Sequence, residues 1–275
     1  MRIYSFSRVL ALPLGIALAV LAYMEFLLYY DIVYWLLIPL IGVVILLIFS
    51  GQIDHWWNEK HPIPLTDQER KMITEFVPYY STLSPSSKQT FEHRLSLYTG
   101  AREWKNVGGS ELKDIPDDIK AVVASQAIML TFHQEDYLLG DFDRIYTYKH
   151  PFPSPKFQFL HTVETDMEDG MILFSMEHLL VGITKPTQYY NIGMHGYAEA
   201  FLQQYPDLQY PNIDQVQWSH IEQIMGFSKE QILSVLGFEE ADFMTMLIVC
   251  FFTYPANTKV VLHREYQQLE KVFSA

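Results

Sequence analysis

The sequence predicts an α+β protein: a mainly helical domain built around a small sheet, preceded by a two-helix transmembrane hairpin. Three observations carry this reading. Two nearly unbroken apolar runs fill residues 9–30 and 32–50. Residues that favour β-strands concentrate between 144 and 175. Helix-start and helix-stop signals flank that stretch on both sides, the layout of a sheet bracketed by helices.

Each apolar run is long enough to cross a membrane, because about 20 residues in a helix span a hydrocarbon core roughly 30 Å thick. The first run carries one charge, Glu25, and the second none; Asp31, with tyrosines beside it, marks the turn between them. A cleaved signal sequence would have a shorter apolar stretch and a small-residue cleavage site, and none separates the two runs. Arg2 and Arg8 precede the first run, and Lys60, Arg70 and Lys71 follow the second. Basic residues favour the cytoplasmic side. The expectation is therefore a multi-pass protein of the cytoplasmic (inner) membrane, with residues 1–50 as the hairpin and the soluble domain facing the cytoplasm. A single long bent helix would place that domain outside. Trp56 and Trp57 suit an interfacial aromatic belt. Residues 51–65, stiffened by Pro62 and Pro64, form a linker, and residues 66–275 are long enough to bury a core of their own.

Within this body, Thr66-Asp-Gln-Glu69 has the capping-box pattern, followed by Ile73, Phe76 and Val77 at helical spacing. Ser84-Pro85 reads as an N-cap with proline at the first helical position, opening a helix to Tyr98. Asp114-Ile-Pro116 starts another, whose small and apolar second half suits a helix buried in the core. Residues 144–149, 157–163 and 171–175 are the candidate strands, the first two separated by Pro151, Pro153 and Pro155. Helical patterns return at 191–205, 213–225, 228–236, 239–253 and 257–273, with Ser228 opening the third and Gly237 closing it.

Composition removes several function classes. A net charge of −13 opposes nucleic-acid binding, which needs a basic surface to displace counterions. The single cysteine, Cys250, excludes an intramolecular disulfide. There is no CxxC, Walker loop, GxGxxG or GxSxG. The chemistry-bearing pattern is His195-Gly-Tyr-Ala-Glu199. Residues four apart lie one above the other on a helix face, so His195 and Glu199 can converge on one point. Metallopeptidases use that geometry as HExxH, two histidines holding zinc and the glutamate activating its water. By itself the pair is more commonly a surface pair or a satisfied core histidine. His161, Glu164, Asp166, Glu168 and Asp169 form an acidic cluster, read as a solvated loop ahead of a divalent-cation site. His178 is read as a capping or surface residue, and Phe251, Phe252 and the Met244–Met246 neighbourhood as core packing.

Several segments in order resemble the Mlc titration factor A family of glucose-regulated zinc metallopeptidases. They are Gly108-Gly-Ser-Glu-Leu112, Asp118 through Ala124-Ser-Gln-Ala127, Ile145-Tyr-Thr-Tyr with the prolines that follow, Gly170-Met-Ile-Leu-Phe-Ser175, Gly182, Tyr190-Asn191 leading to His195, and Ala241-Asp242-Phe243 with Phe251-Phe252. The resemblance covers residues 66–275, implies a zincin-like, aminopeptidase-like fold, and leaves the anchor outside. Carried over, His195 matches the first zinc ligand, Glu199 stands for the second histidine and Asp242 for the glutamate ligand. Gly196 stands where the general base belongs, and Val249 where the family has a second glutamate. The implied metal is zinc. The His195, Glu199 and Asp242 set would hold it loosely and shift preference towards manganese, magnesium or calcium. Without the general base, about 10²–10⁴-fold in rate is lost. The expectation is thus a membrane-tethered family member with lost or reduced peptidase activity and a regulatory role, binding a protein partner. Its alternatives are an active metal-dependent peptidase using the altered ligands on a peptide substrate, with a base from elsewhere, and a structural domain of a membrane complex. Restoring activity is expected to need Gly196→Glu together with Glu199→His.

Overall fold

The structure is a computed structural model that describes residues 5–28, 32–108 and 114–274. It divides into two compact units, residues 1–64 and 65–275. In the first, α1 (Phe6–Phe26) packs on α2 (Val33–Ile48), and α3 (Ser50–Lys60) turns away from α2 by 67°. By length and composition α1 alone could cross a membrane; α2 reaches that measure only joined to α3. The turn expected at Asp31 lies outside the described residues. Residues 50–60, most of the stretch read as linker, are helical, and the reason is visible in the packing. Asp54 accepts hydrogen bonds from the Ser7 backbone N–H at 2.7 Å and its hydroxyl at 3.0 Å, and Trp57 stacks on Phe6 with ring centroids 3.8 Å apart.

The second unit opens with α4 (Asp67–Phe76), α5 (Pro78–Thr82) and α6 (Pro85–Ala101), then strand β1 (Glu103–Val107) and α7 (Asp117–Thr131). Strands β2 (Arg144–Tyr148), β3 (Val163–Asp166) and β4 (Met171–Ser175) lead directly into α8 (Met176–Thr184) and α9 (Ile192–Gln204). The chain ends in α10 (Trp218–Met225), α11 (Lys229–Leu236), α12 (Phe243–Thr253), α13 (Pro255–Val261) and α14 (His263–Ser274). The sheet order is β1-β2-β4-β3, parallel except for β3, which runs antiparallel to β4 at one edge. The core gathers around α7 and α9; residues 121–131 of α7 are all buried.

Local signals place most helices. The Thr66 capping box with Glu69 closes as read, as does Ser228 with Gln231, and Gly237 ends α11 in the left-handed region. Several segments differ, among them the helix read at 213–225, which begins only at Trp218. Residues 157–162, which alternate like a strand, instead fold Phe157, Phe159 and His161 against Phe238, and the ladder begins only at Val163. The helix read at 239–253 starts at Phe243, where Asp242 supplies the cap. The helix read at 257–273 is two helices meeting at Leu262.

Arg70 of α4 holds Glu92 of α6 through both carboxylate oxygens, at 3.1 and 2.9 Å, and the Tyr80 hydroxyl donates to the same carboxylate. Burial alone would raise the Glu92 carboxyl; the hydrogen bonds from Arg70 and Tyr80 outweigh it and hold it below the ordinary value. A carboxyl lowered by folding adds stability above its unfolded pKa, about 4.3, and loses it as pH falls through the folded value. Glu92→Gln should cost about 1–3 kcal/mol at pH 7. Denaturant titrations should show the gap between wild type and variant closing below about pH 4; an equal gap at both pH values would exclude the ionised pair as its source.

Candidate functional site

α9 begins at Asn191, whose side-chain oxygen accepts the Met194 N–H at 3.0 Å. One face of the helix lies on β3 and β4 and others on α7, α8 and α12. This burial fixes the direction of each residue in His195-Gly-Tyr-Ala-Glu199. His195 and Glu199 look out into a cleft of about 390 Å³, whose walls include Glu164 and Thr165 of β3, Leu202 and Gln203 of α9, Phe157, Phe238 and Asp242. The three residues singled out as a ligand set therefore line one cleft. Val249 does not: it is fully buried in the apolar core. His178 is absent from the cleft lining and contacts the Ser175 hydroxyl at 3.0 Å through Nδ1.

The polar atoms of the site have partners within the protein. His195 is buried, with Nδ1 2.8 Å from the Tyr190 hydroxyl and Nε2 3.3 Å from Glu199 Oε1. Burial pushes the Tyr190 phenol well above its ordinary pKa, so it keeps its proton and can donate it to Nδ1. In that arrangement the remaining proton sits on Nε2 and points at the Glu199 carboxylate. Thr165 Oγ1 donates to the other oxygen, Glu199 Oε2, at 3.3 Å, and Gln203 Nε2 donates to Thr165 Oγ1 at 2.8 Å. Asp242 caps α12: its Oδ2 accepts from Thr245 N at 2.7 Å and from Thr245 Oγ1 at 2.9 Å.

These contacts test the fit to a metal. A zinc-binding imidazole needs a bare nitrogen facing the ion, and here Nε2 faces the Glu199 carboxyl at 3.3 Å, to which it donates when Tyr190 donates to Nδ1. Asp242 spends one oxygen on a helix cap. Among the described residues no three His, Cys, Asp or Glu side chains are grouped closely enough to hold a metal ion. As arranged, the residues do not fit one.

Gly196 faces the sheet. A Cβ built there would lie 2.7 Å from Phe174 Cε1 on β4 and 2.7 Å from Val163 Cγ2 on β3. Contacts below 3 Å cannot stand without movement of both strands' side chains. The glycine thus lets α9 sit closer to the sheet than a longer residue would permit, and a glutamate at this position would start inside that contact.

The acidic cluster at 161–169 divides. Glu168 and Asp169 are exposed, as a solvated loop requires, whereas His161 and Glu164 are buried and joined by Nε2 to Oε2 at 2.9 Å. His161 Nδ1 lies 3.0 Å from the Phe159 carbonyl, which can only accept. Nδ1 is therefore placed to donate to it, while Nε2 faces the Glu164 carboxyl. Sequence reading missed Glu164 as a cleft residue because its partner lies in an irregular loop read as strand; the spacing of three residues between His161 and Glu164 was the available signal.

Gly196→Ala isolates the packing effect from any charge. It should lower stability by roughly 1–3 kcal/mol through overpacking, despite alanine's better helix propensity. Denaturant unfolding of the variant measures it, and unchanged or higher stability would show that α9 and the sheet are free to separate.

Among curated proteins none matches this chain. The family model described as "Glucose-regulated metallo-peptidase M90" matches residues 53–274, which covers all but the last residue of the second unit and most of α3. The chain belongs to the glucose-regulated metallopeptidase M90 family, that of Mlc titration factor A.

Proposed function

We propose that this chain is a membrane-tethered member of its family that binds peptide segments in the cleft and has lost most or all hydrolytic activity, serving a regulatory role through a protein partner. The observation that carries this is Gly196. At the turn where a general base would stand, the helix has no side chain and no room for one. On this reading His195, Glu199 and Asp242 stand for the family's metal ligands, and the His195–Glu199 contact and the Asp242 cap of α12 favour internal polar contacts over a metal centre.

Peptide binding rests on β3. It is the edge strand of the sheet, paired with β4 among the named strands, and its Glu164 and Thr165 line the cleft. An extended peptide can add to such an edge through main-chain hydrogen bonds. Leu202, Phe157 and Phe238 offer apolar contact, and Glu164, Glu199, Glu240 and Asp242 outnumber Lys156. The charge balance favours neutral or cationic peptides.

One observation supports a second reading, an active hydrolase. Glu164 brings a carboxylate to the cleft wall, and its bond to His161 gives it a partner for a proton. An assay separates the two. Full-length protein in nanodiscs, supplied with zinc, should not cleave amino-acid anilides or lysine-containing peptides above the blank. It should bind the peptides, and Glu240→Lys at the exposed rim should weaken that binding several-fold. Cleavage at rates typical of zinc proteases, abolished by 1,10-phenanthroline, would overturn the loss of activity. Cleavage insensitive to chelator but lost in Glu164→Gln would assign the activity to Glu164.

The membrane arrangement belongs to the same proposal: two spans, with both ends in the cytoplasm, supported by Arg8 in the first turn of α1 and Lys60, Arg70 and Lys71 after α2. Cys250 is fully buried, and burial pushes its thiol up, so it forms a quiet background. A cysteine introduced at exposed Glu75 should react with a membrane-impermeant maleimide only after permeabilisation. Ready labelling of intact cells would place the domain outside.

A further inference from the structure

A second cavity, of about 370 Å³, lies on the other side of the first turn of α9. Met194 lines this cavity and His195 lines the cleft, so a single helical turn divides them. Tyr79, Phe251, Phe252, Tyr266 and Phe273 form its aromatic wall, and three of these rings are in mutual contact: Phe251 to Phe252 at 5.0 Å, Phe252 to Phe273 at 4.9 Å, and Phe251 to Phe273 at 5.6 Å between centroids. The size and lining suit a small molecule.

Two features set its chemistry. The first is Gln126 of α7, which lines the cavity while being 97 % buried, its relative exposure only 3 %. Its Oε1 accepts a hydrogen bond from Asn191 Nδ2 at 3.2 Å, and this fixes which end of the amide is the oxygen. Asn191 Oδ1 is already engaged by the Met194 N–H. Gln126 Nε2 has no hydrogen-bond partner among the described residues. Gln126 lines the cavity and this donor meets no protein acceptor, so an occupant that brings one gains a hydrogen bond a purely apolar one does not. The second feature is charge. Among the lining residues there is no Lys, Arg or His, and Glu270 is the single ionisable carboxylate. An anionic ligand would enter an apolar site with no cation and one like charge.

We propose that this cavity is a binding site for a small, neutral aromatic molecule bearing one hydrogen-bond acceptor, its ring among the phenylalanines and its acceptor on Gln126 Nε2. The occupant would rest against Asn191, the cap of α9, one turn from His195.

The test uses full-length protein in phosphatidylcholine nanodiscs, with empty nanodiscs to subtract partitioning, and fluorine NMR line broadening of two probes. 4-Fluorobenzamide carries a neutral carbonyl; 4-fluorobenzoate has the same ring and a charge. The amide should bind at least about tenfold more tightly than the carboxylate, because both offer an acceptor and only the carboxylate brings a charge into a site without a cation. Gln126→Met, which keeps the length and removes the donor, should weaken amide binding by about tenfold, the loss of one hydrogen bond. Thr82→Trp, at an exposed position on the cavity's lining, should block binding without touching the core, with folding checked by circular dichroism. No binding of the amide, equal binding of both probes, or amide binding that survives Thr82→Trp in folded protein would each overturn the proposal.

Discussion

The contact between α9 and the sheet at Gly196 is the constraint on which the rest of the domain depends. With Phe174 and Val163 within 2.7 Å of where a Cβ would stand, the helix axis is set by contact with strands β4 and β3 rather than by side chains of its own. That close approach has three results. It buries residues 191–198 completely or nearly so. It turns His195 and Glu199 to the open side, next to β3. It also leaves Met194 and Asn191 facing the second cavity, against α7. One glycine therefore defines two opposed surfaces on a single short helix.

The polar groups on the cleft side answer to the same geometry. From Tyr190 through His195, Glu199 and Thr165 to Gln203, each group has a neighbour at 2.8–3.3 Å. Buried polar groups must find partners, and a network that is satisfied internally resists rearrangement. A metal entering here would have to displace the Nε2 proton and break the His195–Glu199 contact, and Asp242 would have to turn from the cap of α12. The energetic opposition comes from contacts already made, on three different elements.

What could be read from the sequence was what is local. The capping boxes at Thr66 and Ser228, proline at the start of α6, and the left-handed glycine after α11 each act within a few residues, and each stands in the structure. The i, i+4 relation of His195 and Glu199 is likewise a property of one helix. What depended on distant partners was hidden. β1 is a short edge strand carrying Glu103 and Lys105, with no alternation to announce it, and it exists because β2 pairs with it. Residues 157–162 alternate in hydrophobicity, yet their aromatic rings serve a cluster with Phe238 rather than a ladder. α3 is polar and aromatic in sequence, and forms where Asp54 meets Ser7 and Trp57 meets Phe6. Glu164 looked like part of a solvated acidic run until its buried partner was placed.

The same distinction bears on how the site can change. Read as a motif, the departure from HExxH is two substitutions, at 196 and 199, with a third at 242. Read in the fold, the substitution at 196 is a packing state. A glutamate there needs space now held by Phe174 and Val163, residues that belong to the sheet and not to the motif. Aspartate at 242 has one methylene fewer than glutamate and serves a cap that starts α12. Exchanging motif residues alone, including Gly196→Glu with Glu199→His, would put a charged side chain against two apolar ones and leave Asp242 Oδ2 engaged in the cap of α12. On the proposed reading, a glutamate at 196 would require strands β3 and β4 to yield at least one side chain's volume. On the proposed reading the altered site is built into the helix–sheet spacing, and the cleft lies beside it, walled by Glu164 and Thr165 of β3.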